Sequence, residues 1–147
     1  MIVLTRIDNR LIHGQVATGW LRSCGANIVI VANDRVAANP MEQQLLSMAV
    51  ASLMPVRFLT VDEAAKKVAR ADPRRKIALI VENPVDALGL VEGGLSLKSI
   101  NVGNMHMAEG KTCLCKTVYA DEREIDASLG PERGHGGHRS QRVLTQR

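Results

Sequence analysis

Apolar runs and helical stripes alternate along the chain. Ile2-Val3-Leu4 reads as a short first strand, and the polar stretch Arg6–His13 reads as a loop. From Gly14 a helix follows, with Val16, Trp20 and Leu21 on one face and Cys24-Gly25 closing it. Asn27–Ala32 (NIVIVA) is an unbroken β-branched run, the pattern of a strand covered on both faces, and Asn33-Asp34 ends it. Asn39 and Pro40 predict the N-cap and first turn of a second helix, with Met41, Leu45, Met48, Ala49 and Leu53 as its apolar face. Val56–Leu59 is the third strand. Thr60-Val61-Asp62-Glu63 is a capping box that starts a helix through Ala71, which Asp72-Pro73 breaks. Lys76–Val81 (KIALIV) is the fourth strand. Asn83-Pro84 starts a helix over Val85–Val91 that Gly93-Gly94 ends. Ser99–Val102 is a short fifth strand, Leu114–Tyr119 a sixth, and Asp121–Leu129 the start of another helix.

Strands that are apolar throughout, joined by short helical crossovers, predict an α/β fold. The sheet is open and mostly parallel, with helices on both faces, in a single domain over residues 1–129. Beyond Leu129 the text becomes GPERGHGGHRSQRVLTQR, rich in Gly, His and Arg and without a period. Residues 130–147 are therefore expected to form a basic, disordered or weakly ordered tail.

Charge changes the picture little once it is located. The chain of 147 residues carries a net +4. Arg133, Arg139, Arg142 and Arg147 against Glu132 place three of those four charges in the tail, so the body is nearly neutral. A nucleic-acid-binding tail is one reading of that excess. The body has only Trp20, Phe58 and Tyr119 as aromatics, which argues against single-strand modules built on stacking platforms. No run approaches the length of a membrane-spanning helix, and the N-terminus lacks a secretory pattern. The three cysteines, Cys24, Cys113 and Cys115, fit a reducing compartment, so a cytoplasmic location is expected. Cys113-Leu114-Cys115 reads as two small apolar residues of a strand; the chain has no second cysteine pair, and no metal site is expected.

Ligands of open parallel sheets bind beyond the C-terminal strand ends. The first such loop is the densest in chemistry: Arg6, Asp8, Asn9, Arg10 and His13, followed by a helix start at Gly14 and Gln15. Helix-start N–H groups and two arginines attract an anion. A neutral histidine among them is a nucleophile for a phosphoryl group, with Asp8 orienting the ring or neutralising an arginine. As a polar residue at a helix start, His13 has a purely structural reading as well. Asn101, Gly103, Asn104 and His106 form a second Gly-containing loop after a strand; its backbone is a candidate for close approach to a ligand, with His106 either a second base or, as the simpler reading, an exposed turn histidine. Dinucleotide, P-loop, zinc-protease and nucleophile-elbow motifs are missing from the sequence.

Arg6-Ile7-Asp8-Asn9-Arg10-Leu11-Ile12-His13-Gly14-Gln15-Val16 resembles the R-I-D-x-R-L-x-H-G-Q-V motif of IIB components of the sugar phosphotransferase system, mannose/sorbose type. Asn101-Val102-Gly103-Asn104-Met105 with Glu109-Gly110-Lys111 resembles the family's later N-V-G-[GN]-M…G-K segment, and Ile30-Val31-Ala32-Asn33-Asp34 its second-strand motif. The likeness runs through about residue 127, and the N-V-G-N-M-H form is most similar to members handling N-acetylgalactosamine or galactosamine. The resemblance implies a phosphoryl group accepted on His13 from a IIA histidine and donated to a sugar carried by the IIC and IID membrane subunits. It implies that Arg10 steadies the phosphoryl oxygens, that Arg6, Gly14 and Gln15 contact the phosphate, and that Arg6 and Asp8 shape the loop. No cofactor beyond the covalent phosphohistidine is implied. The domain would work at the inner face of the membrane, with homo-oligomerisation left open. A regulatory domain that has lost transfer is the competing reading, against which Arg10 and His13 both stand intact. At the C-terminus the chain departs from the family, whose members continue with an apolar strand and a helix; the change in composition there predicts a truncated or frame-shifted end.

Overall fold

In the computed structural model the described residues are 1–14, 19–103, 112–115 and 118–120. Five strands form one parallel sheet in the order β3-β2-β4-β1-β5. They are β1 (Ile2–Ile7), β2 (Ile28–Ala32), β3 (Val56–Leu59), β4 (Ile77–Val81) and β5 (Asn101–Val102). The helices are α1 (Leu21–Ser23), α2 (Asp34–Ala37), α3 (Pro40–Met48), α4 (Val61–Ala69) and α5 (Pro84–Glu92). No helix among the described residues is long and apolar enough to cross a membrane.

The NIVIVA and KIALIV runs become β2 and β4, the buried centre of the sheet. Their alternate residues serve two cores. Ile28, Ile30, Leu79 and Val81 face α4 and α5, where Ala64, Ala65, Val68, Ala87 and Leu90 pack. Val29, Val31, Ala78 and Ile80 face the other side, with Leu21 of α1 and Val36 of α2. Asn39, Thr60 and Asn83 each accept the expected backbone N–H, from Glu42, Glu63 and Asp86 respectively. These caps satisfy donors that a helix start otherwise leaves unpaired.

Three expectations are corrected and one is extended. Arg6 and Ile7 belong to β1 rather than to a loop: Arg6 pairs in register with Ile80 on one side and Asn101 on the other. Two flanking ladders carry the strand through a charge that local polarity reads as a break. Asn33 does more than end β2; its side chain accepts the Val36 N–H and starts the short helix α2. The apolar stripe of α3 is turned outward, with Met41, Leu45 and Met48 at 75%, 64% and 71% exposure. Ala49 is also exposed, whereas Leu53, beyond the end of α3, is half-buried and packs on the core as expected. The helix is held the other way by Leu46, which packs on the core, and by Gln43, whose amide donates to the carbonyls of Val36 and Ala37. Lastly, the run Leu114–Tyr119 is two strands, β6 (Thr112–Cys115) and β7 (Val118–Ala120), paired antiparallel. The polar Lys116-Thr117 falls between them. Val16 of the first predicted helix, the helix expected from Asp121 and the basic tail lie outside the described residues.

Adjacent strands β1 and β4 send the chain in opposite directions. From β1 it runs to α1 on one face, and from β4 to α5 on the other. That divergence opens a crevice at the C-terminal ends of these two strands, the usual ligand position in an open α/β sheet.

Candidate functional site

The crevice is occupied by the loop that leaves β1. Leu4 packs on the α1 side of the sheet, so Arg6 and Asp8, two and four residues on, point to that same side. The Asp8 N–H donates to the Val81 carbonyl at 2.9 Å, fixing the first loop residue to the end of β4. The chain then turns sharply, with the Leu11 N–H donating to the Asp8 carbonyl at 2.8 Å. Leu11 adopts φ of 55°, a left-handed conformation costly for a branched side chain. Its side chain and that of Ile12 are almost wholly buried, and that burial offsets the strain. The turn thus brings Arg10 and His13 back over Asp8.

Asp8 is the hub. Its side chain is fully buried and receives four donors. Oδ2 accepts from Arg6 Nη2 at 3.0 Å and lies 3.2 Å from His13 Nε2. Oδ1 accepts from the Arg10 backbone N–H at 3.1 Å and from Arg10 Nε at 3.4 Å. Burial by itself pushes the Asp8 carboxyl up, but the hydrogen bond with His13, the Arg10 N–H and the charges of Arg6 and His13 outweigh it. The group is held below the ordinary carboxylate range. An ionised carboxylate only accepts, so His13 Nε2 presents its N–H to Asp8, and Nδ1 is the nitrogen that carries a lone pair when the ring is neutral.

The two arginines differ. Arg10 has 47% of its side chain exposed, whereas Arg6 has 8%. Arg6 is turned inward, with Nη2 on Asp8 and Nη1 on the Asn101 side-chain oxygen. Asn101 and Gly103, expected as secondary ligand contacts, thus lie beneath the same loop. The Gly103 N–H donates to the Ile7 carbonyl at 2.7 Å. A Cβ at Gly103 would collide with Arg6 Nη2 and Asp8 Oδ2, so glycine is required there by close approach. We expect Gly103→Ala to destabilise the protein by about 1–3 kcal/mol. Denaturant titration beside wild type checks this, and an unchanged midpoint would contradict the contact. Gly14, the exposed residue after His13, is in place, whereas Gln15, Asn104 and His106 lie outside the described residues.

Its spacing with Val16 and Leu21 places Trp20 on a helix face and gives it no further role. Its ring in fact lies against Arg6, with Cζ 5.1 Å from the ring centroid. The one available signal was its singularity, as the only tryptophan, seven residues beyond His13. Across the rim, the Asn33 amide donates to Glu82 and Asp86 at 2.8 and 3.1 Å, and burial pushes the Asp86 carboxyl up. This second cluster ties the end of β2 to the start of α5.

An open parallel sheet with a histidine over a buried carboxylate at its switch point makes this a small α/β domain with ionisable groups at the usual ligand position of such sheets. Comparison with known proteins makes this specific. The family described as "PTS system sorbose subfamily IIB component" matches residues 2–130, and the chain belongs to it. Its members are phosphotransferase-system components, so the chain is a sugar phosphotransferase subunit. It is 49% identical over 126 residues to the N-acetylgalactosamine-specific phosphotransferase enzyme IIB component 2 of Escherichia coli K12, covering 86% of this chain and 80% of that protein. The mannose-specific EIIAB component of the same organism is 38% identical over 86% of this chain and 40% of its own length. The crystal structure of N-acetylgalactosamine-specific IIB component 1 from Escherichia coli superposes with a TM-score of 0.84 at 40% identity, covering 87% of this chain and 84% of the other.

Proposed function

We propose that this subunit carries a phosphoryl group on Nδ1 of His13, received from a IIA histidine and passed to a sugar delivered by IIC and IID. The observation that carries the reading is the bond between His13 Nε2 and the buried Asp8, which leaves Nδ1 as the ring's nucleophile. The lone pair of Nδ1 forms a P–N bond as the P–N bond to the donor imidazole breaks. Asp8 keeps the Nε2 proton and stabilises the positive charge that spreads over the ring. Arg10, exposed and held by the same carboxylate as His13, steadies the phosphoryl oxygens. Arg6 acts one layer below, on Asp8. In the second half, a sugar hydroxyl oxygen forms the P–O bond, its proton leaves to solvent, and the P–N bond returns its electron pair to Nδ1. The steps need positioning and charge stabilisation only, so no metal or cofactor is invoked.

The names of the relatives support N-acetylgalactosamine or galactosamine as the sugar class, and the EIIAB relative supports a IIA partner. Work at the inner membrane face through IIC and IID follows from that assignment. Incubation with the general phosphotransferase proteins, cognate IIA and phosphoenolpyruvate is expected to give acid-labile label on this chain. A chain that stays unlabelled beside labelled IIA would sink the reading.

A further inference from the structure

Arg6 sits in an unusual environment for a guanidinium. It is buried, Nη1 and Nη2 are committed to Asn101 and Asp8, and Nε has no hydrogen-bond acceptor among the described residues. A buried N–H without an acceptor is costly, and the group gains by turning toward water or another acceptor. Two contacts oppose that turn. Gly103 closes against Nη2 so tightly that even a methyl group would not fit. The half-buried Trp20 ring lies against Arg6, 5.1 Å from centroid to Cζ. The negative face of an indole attracts a cation most strongly where water is excluded.

We infer that Trp20 is a positioning residue for phosphoryl transfer: its ring holds Arg6 under Asp8, and Asp8 in turn holds the imidazole of His13. The inference rests on the reading of His13 as the phosphoryl acceptor. Every link is a contact in the structure: Trp20 on Arg6, Arg6 Nη2 on Asp8 Oδ2, and that same oxygen on His13 Nε2. Because one carboxylate oxygen serves both Arg6 and His13, any rotation of Arg6 moves the atom that fixes the reactive ring. Trp20 itself touches no reacting atom in this scheme; it sets the geometry from behind.

The chain has a single tryptophan, so biosynthetic incorporation of mono-, di- and trifluorotryptophan alters this ring alone. Fluorine withdraws electron density from the ring face at nearly constant shape, which weakens the attraction for Arg6 without opening a cavity. The readout is the initial rate of His13 labelling by phosphorylated IIA. Along the series kcat is expected to fall stepwise, by about fivefold at the trifluoro ring, with KM for IIA unchanged. Trp20→Phe, which keeps an aromatic face, should stay within about twofold of wild type, and Trp20→Leu should lose about tenfold. Equal rates across the fluorinated series, on chains labelled at His13, would overturn this inference alone. Label persisting in His13→Ala would overturn the assignment of His13 and this inference with it.

Discussion

Asp8→Asn is expected to lower the rate of phosphoryl acceptance on the order of 10²-fold or more and to destabilise the fold by about 3–5 kcal/mol. Both effects have one cause. The carboxylate is fully buried and is the common acceptor for Arg6, Arg10 and His13. A neutral amide leaves the Arg6 guanidinium buried without its counter-charge. It also ceases to dictate the tautomer of His13, because an amide offers either a donor or an acceptor to Nε2. The loss of stability depends on pH. The folded-state pKa of Asp8 is depressed, so its contribution is present above the ordinary carboxylate value of about 3.9 and is lost as pH falls through the lower folded value. Wild type and Asp8→Asn should therefore differ most near neutrality and converge below about pH 4. Urea denaturation from neutral pH downward measures this; a constant gap would show that Asp8 is not held ionised by its partners.

The second large effect falls on activity far more than on stability. His13→Ala is expected to abolish transferable label while costing only about 1 kcal/mol of stability. The His13 side chain is 19% exposed and makes one hydrogen bond into the hub, and Asp8 keeps the donors of Arg6 and Arg10 when the imidazole is gone. The depressed Asp8 pKa should persist in part, so the acid sensitivity of the fold survives when activity does not. Comparing the two variants separates the residue that carries the phosphoryl group from the one that holds it in place.

The centre of the fold is legible in the sequence because its determinants are local. The apolar runs at Asn27–Ala32 and Lys76–Val81 admit only a strand buried on both faces, and Asn39-Pro40, Thr60–Glu63 and Asn83-Pro84 are self-contained helix starts. The nearness of Asp8, Arg10 and His13 is equally local, since all three sit on one tight turn. What escaped depends on distant partners. Arg6 is polar by itself but lies in a strand because Ile80 and Asn101 flank it. The stripe Met41, Leu45 and Met48 has the spacing of an inward helix face, yet Gln43, bonded to carbonyls of the preceding helix, turns it outward. Gly103 is a loop glycine until its distance to Arg6 and Asp8 is known, and Trp20 is a core residue until Arg6 is found against it.

Nδ1 of His13 is the proposed phosphoryl-bearing atom. The most direct measurement is heteronuclear ¹⁵N–³¹P NMR of the wild-type chain, histidine-labelled with ¹⁵N and phosphorylated by IIA. Phosphorus coupled to Nδ1 of His13, with Nε2 still protonated against Asp8, is the predicted result. Phosphorus on Nε2 of that ring, or on any other residue, would contradict it.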